Sequence, residues 1–163
     1  MFISRGPRSF SFAFLISRNK ELYDGAIPSG NSVALFVLST LYHLTRQERY
    51  REWAEKSARY FQSEVKGRPD AYCFFLMGQD RLIGNVVEVC LVDGGDEPSI
   101  ERMRKPLDRD FHPEMVLSCL TKEQAISTGK RTIEGKVIAY VCKNGACLPP
   151  VFDALALERL LKE

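Results

Sequence analysis

The chain has 163 residues and a formal net charge of +2, with 45% hydrophobic and 27% charged residues. These proportions suit about one folded domain and exclude a disordered, collagen-like or coiled-coil chain. The near balance of charge gives no ground for a nucleic-acid partner.

Residues 1–20 read as a leader. Its apolar run, Phe10 to Ile16, falls far short of the ~20 residues that span a bilayer. Arg5 and Arg8 precede the run, but Ser17-Arg18-Asn19-Lys20 follows where small residues would mark signal cleavage. Five cysteines at irregular spacing, with no export signal, point to reduced thiols and a cytoplasmic protein. Cys73, Cys90 and Cys119 lie in apolar runs and read as small core residues.

Residues 21–82 read as helical. Val33 to Leu44 is apolar nearly all round, so this helix expects neighbours on several sides. Thr45-Arg46-Gln47-Glu48 has the form of a capping box that starts the next helix. That helix places Tyr50, Trp53, Ala54, Ser57, Ala58, Phe61 and Val65 on one inward face. Gly67-Arg68-Pro69-Asp70 breaks it, and a third helix begins at Asp70.

Residues 83–163 alternate between strand and helix. Strands are predicted at Val86–Val92, Met115–Leu120 and Val137–Cys142. Helices are predicted at Ser99–Asp110, after the Thr121-x-x-Gln124 capping box, and after Asp153. The fold class is therefore α+β, with an α/β-like C-terminal half. The β-α-β-α-β-α order calls for a small three-stranded, mainly parallel sheet with helices.

Chemistry has three candidate locations. In the first, Tyr23-Asp24-Gly25-Ala26-Ile27-Pro28-Ser29-Gly30-Asn31 forms a stiff turn leading into a helix. There Asp24 is a candidate acid/base, while Tyr23, Ser29 and Asn31 are candidate groups for binding a small sugar. The competing reading is a rigid turn, with Ser29 or Asn31 as helix cap and Asp24 bonded to backbone. The second location holds Cys142 and Cys147, which flank a Gly-containing turn and are candidates for thiol–disulfide redox or for structural thiols. Four residues separate them, unlike the Cys-x-x-Cys of thioredoxin-like sites. Too few histidines accompany them for a zinc site, and no metal is expected. The third, Asp93-Gly94-Gly95-Asp96-Glu97, follows a strand where a nucleotide loop would lie. It lacks Gly-x-Gly-x-x-Gly, and its carboxylates would repel a pyrophosphate, so no cofactor is expected. His43, in an apolar helix, reads as a satisfied core or interface residue; His112, before Pro113, reads as exposed.

The segment Glu21-Leu22-Tyr23-Asp24-Gly25-Ala26-Ile27-Pro28-Ser29-Gly30-Asn31-Ser32-Val33-Ala34 resembles a signature of the thioredoxin-domain-containing, spermatogenesis-associated protein 20 family. Ala139-Tyr140-Val141-Cys142-Lys143-Asn144 and Cys147-Leu148-Pro149-Pro150-Val151, before an Asp153-led helix, are similar as well. The resemblance covers residues 18–163. Members of that family join a thioredoxin-like domain to an α/α toroid like those of six-hairpin glycosidases and sugar epimerases. The resemblance implies that residues 21–82 are the end of such a toroid and that residues 83–163 are a C-terminal α/β unit. A chain matching only that end, without Cys-x-x-Cys, is expected to be a truncated product or a split-protein subunit without independent catalysis. Carbohydrate processing around Asp24 and redox at Cys142/Cys147 are the alternatives. Three helices cannot close a toroid, so their open face implies a homodimer or a partner chain.

Overall fold

The computed structural model describes residues 20–95, 97–143 and 145–162. The expectations for the leader (residues 1–19) and for Asp96 and Asn144 lie outside them. The architecture is α+β: a three-helix layer followed by a four-stranded mixed sheet with three further helices.

The helical layer is α1 (Gly30–Thr45), α2 (Glu48–Gly67) and α3 (Cys73–Ile83), with a 3₁₀ turn at Pro69–Ala71 before α3. Leu22, Leu35, Ala54, Phe61, Val65 and Phe75 form its core, with the Phe61 and Phe75 rings edge to face at 5.9 Å. Burying a side chain the size of Phe75 contributes roughly 2–3 kcal/mol. α1 and α3 touch at Gly78, where Ser39 Oγ donates to both Leu35 O (2.8 Å) and Gly78 O (3.1 Å).

Two expectations for this layer are corrected. The capping box at Thr45–Glu48 does not form. Arg46 ends α1 in the left-handed region (φ 57°), and the Thr45 hydroxyl donates back to Leu41 O, which leaves Gln47 as the N-cap of α2 without a side-chain bond. Trp53 is about half exposed, because neighbouring Ala54 takes the inward position.

The sheet has the order β2-β1-β3-β4, from β1 (Val87–Val92), β2 (Met115–Leu120), β3 (Ile138–Lys143) and β4 (Ala146–Cys147). β1 and β2 are parallel and joined through α4 (Glu97–Arg109). The remaining pairs, β1–β3 and β3–β4, are antiparallel, so the sheet is mixed rather than mainly parallel and has a fourth strand. The β2–β3 connection carries one short helix, α5 (Lys122–Ser127). β3 begins at the end of the sheet where β2 stops, because Val92 pairs with Leu120 on one side and with Ile138 on the other. The Thr121–Gln124 capping box forms as expected. Asp153 Oδ1 accepts from Ala156 N at the start of α6 (Ala154–Lys162).

One sheet face, with Val89, Leu91, Ala139 and Val141, packs on Met103 and Leu107 of α4 and Leu157 of α6. Residues of the opposite face, including Glu88, Cys90, Ser118, Tyr140 and Cys142, are covered in part by Ala125 of α5 and by the end of α1. Arg81 of α3 pins the helical layer to the sheet. Its guanidinium lies over the Phe36 ring and donates to Pro113 O (2.7 Å) and Met115 O (3.3 Å) at the start of β2. Among the described residues, no helix is long and apolar enough to cross a membrane.

Candidate functional site

Asp24 is held by backbone. Its Oδ1 accepts from Ser29 N (2.9 Å) and its Oδ2 from Phe75 N (2.9 Å), while its own N–H donates to Ala71 O (2.9 Å). Phe75 lies in the first turn of α3, where Tyr72 supplies no side-chain cap. Asp24 thus caps α3 across 51 residues and accepts a donor that would otherwise be unpaired. Burial pushes its carboxyl up, but hydrogen bonds from Ser29, Phe75 and Ser32 outweigh that and leave it below its ordinary value. Ser29 caps α1, its Oγ accepting from Ser32 N. Asn31 Nδ2 donates to Glu21 O (2.6 Å), and Tyr23 is exposed. Tyr23, Asp24, Ser29 and Asn31 do not line the cleft of about 360 Å³ between the sheet and the end of α1.

Cys142 and Cys147 are brought together. They face each other across the β3–β4 hairpin and form a disulfide, with Cα atoms 3.9 Å apart. Asn144-Gly145 in the sequence is a strong hairpin signal, and Gly145 takes the positive φ (79°) such a turn requires. β4 is the edge strand, so Cys147 is exposed while Cys142 is half-buried. The pair lines a cleft of about 360 Å³ between the sheet and the end of α1, together with His43, Arg46, Glu88 and Lys130.

The other groups in this cleft come from distant parts of the sequence. Glu88 pairs with Cys142 across the β1–β3 register, so its carboxylate stands on the same face as the disulfide. It accepts from Arg46 through Oε2 and meets His43 Nδ1 through Oε1 at 2.7 Å. His43 Nε2 lies 3.0 Å from Arg81 O, so each ring nitrogen has an oxygen within hydrogen-bond distance. His43 is thus the interface residue expected for it, joining α1, α3 and β1. Lys130 lies 5.7 Å from the Tyr140 ring and has no acidic partner among the described residues. The alternation of β1 shows that Glu88 shares a face with Cys90, but nothing local points to Arg46 or His43, more than 40 residues away.

The remaining thiols differ from expectation. Cys73 and Cys119 are exposed; Cys90 is half-buried, because its neighbours Val89 and Leu91 take the wholly buried positions of β1. Burial of part of its surface pushes the Cys119 thiol up. His112 is half-buried rather than exposed, its Nε2 without a partner among the described residues. No group of three or more His, Cys, Asp or Glu that could hold a metal occurs among the described residues.

The bridge closes a short loop, so its entropic contribution is small, about 2 kcal/mol. The hairpin also has backbone support: Leu148 N donates to Val141 O, and Ala139 and Val151 exchange two bonds, all at 2.9 Å. Replacing both cysteines by serine is therefore expected to lower the unfolding free energy by about 2 kcal/mol in a urea titration and leave the far-UV spectrum unchanged.

Compared with known protein families, with curated proteins and with solved structures, the chain has no match.

Proposed function

We propose that the chain is a non-catalytic assembling subunit in the cytoplasm, equivalent to the C-terminal part of a thioredoxin-domain/α-toroid protein, and that it pairs with a second copy of itself through α1. The observation that carries this reading is the outer face of α1. Val33, Val37 and Leu44 are 40%, 45% and 44% exposed, and the helix contains no Lys, Arg, Asp or Glu. A helix apolar on its solvent side expects a neighbour. Two copies can meet there without like-charge repulsion, which favours self-association over a charged partner. The engaged state of Asp24 supports the absence of independent catalysis, because both of its oxygens cap backbone amides. Cys73, Cys90 and Cys119 are free thiols, while the Cys142–Cys147 bridge departs from the fully reduced set expected of a cytoplasmic chain.

Size-exclusion chromatography with light scattering is expected to give twice the 18.5 kDa chain mass at micromolar concentration. Val37→Glu places a charge in the centre of the stripe and is expected to weaken the dimer at least tenfold, a shift of about 1.4 kcal/mol or more. A wild-type chain that stays monomeric and binds no hydrophobic dye would overturn the reading. A monomer that binds dye would move the partner to a different chain.

A further inference from the structure

We infer that Cys142 and Cys147 form a reversible thiol–disulfide exchange site for small carboxylate-bearing thiols. The cleft takes in Leu44 at the end of α1, but the bridge lies on the β3–β4 hairpin, and the inference does not require the dimer.

Three observations lead to it. First, the bridge is reachable. Cys147 lies exposed on an edge strand, and both sulfur-bearing residues border an open cleft of about 360 Å³. A thiolate must approach a sulfur to react, and an edge position permits that. Second, the fold does not depend on the bridge. The bonds from Leu148 to Val141 and between Ala139 and Val151 hold the following segment to β3 whether or not the sulfurs are joined. The pair can therefore open without unfolding the sheet. Third, the cleft favours an anion. The Glu88 carboxylate is engaged by Arg46 and His43, which leaves Lys130 as a cation without an acidic partner among the described residues. A ligand carboxylate supplies that partner, and the cleft's positive charge draws an anionic thiol in.

The exchange runs in two balanced steps. A small thiolate attacks Cys147 Sγ. The Cys142–Cys147 bond breaks, its electron pair goes to Cys142 Sγ, and that sulfur takes a proton from solvent. The product is a mixed disulfide between Cys147 and the ligand. A second small thiolate attacks the ligand's sulfur and releases Cys147 as a thiolate, which is protonated in turn. One protein disulfide is reduced to two thiols while two small thiols are oxidised to one disulfide, and the reverse restores the bridge. Cys147 is attacked first because it is the more exposed of the two.

The test equilibrates the whole chain in buffers of reduced and oxidised glutathione, then traps thiols by alkylation and reads each cysteine by peptide mass. The expected result is reversible opening of Cys142–Cys147 with an unchanged far-UV spectrum. Cys142→Ser is expected to accumulate glutathione at Cys147 at least fivefold faster than Cys147→Ser accumulates it at Cys142. Glutathione is expected to open the wild-type bridge about fivefold faster than cationic cysteamine does, after correction for their reactivities with a free model disulfide, and Lys130→Glu to abolish that preference. A bridge that stays closed in millimolar reduced glutathione, or that opens only as the far-UV signal is lost, overturns the exchange site. An unchanged glutathione-to-cysteamine ratio in Lys130→Glu overturns the choice of an anionic ligand.

Discussion

Asp24→Ala is expected to lower the unfolding free energy by about 3 kcal/mol, read as a shift in the urea midpoint at constant slope. The carboxylate accepts the backbone N–H of Ser29 on one oxygen and that of Phe75 on the other. Alanine leaves both donors without their acceptor at partly buried positions, and a lost partner costs more than an average hydrogen bond contributes. Phe75 is itself fully buried and lies in the first turn of α3, so the loss falls on the helix that carries the core's largest buried side chain. Asp24→Asn separates charge from acceptance. It keeps one carbonyl oxygen but turns the other position into a donor facing a donor. The pH dependence has a definite sign. The carboxyl of Asp24 is held below its ordinary value of 3.8, so its contribution is fully present above that pH and is lost as pH falls through the lower folded value. The stability gap between the wild type and Asp24→Asn should therefore narrow as pH drops below about 4. A gap unchanged from neutral pH to well below 4 would show that the carboxylate's charge contributes nothing. The same geometry bears on function: a residue that bridges the turn before α1 to the start of α3 is poorly placed to shuttle protons to a substrate.

Local pattern made much of the fold legible. α1, β2 and the Thr121 capping box follow from apolar runs and cap residues, whose signals are local. The direction of β3 was not legible from element order alone. The connection between Leu120 and Ile138 is long enough for either direction, so neither element order nor length decides the antiparallel pairing of β3 with β1. The site was half legible. Spacing singled out Cys142 and Cys147, and the Asn144-Gly145 pair held the hairpin signal that sets them opposite each other. The surroundings of the bridge were not readable. Glu88 meets Arg46 and His43 only because Arg81 and His43 draw the helical layer onto the sheet, and no spacing encodes that docking. Asp24 shows the converse case. Its turn stood out in the sequence, and the structure uses that rigidity to hold two helices in register.

Gly78→Leu is expected to cost roughly 3 kcal/mol, the upper end for overpacking, with Gly78→Ala intermediate. A Cβ at Gly78 would lie 2.9 Å from Phe36 N and 3.1 Å from both Phe36 Cα and Leu35 Cγ. Two of these atoms are α1 backbone, which cannot rotate aside as a side chain can. For alanine, the gain in helix propensity, about 1 kcal/mol, offsets part of the contact. For leucine the excess volume forces α1 and α3 apart and weakens the Ser39 bond to Gly78 O. The consequence reaches beyond the helical layer, because α1 has two attachments and one open face. It packs on α3 at Gly78, it carries the His43–Glu88 contact near its C-terminal end, and its outer face presents Val33, Val37 and Leu44. Moving α1 by even an ångström shifts the wall of the cleft beside Cys142 and Cys147 as well as the apolar stripe. Gly78→Leu is thus expected to lower the urea midpoint, to reduce dimer mass by light scattering and to change the rate at which glutathione opens the bridge, all together. Val37→Glu should alter only the dimer mass, and Lys130→Glu only the exchange rate. If Gly78→Leu left all three readouts at wild-type values, the close crossing of α1 and α3 would not be what couples the two halves of the molecule.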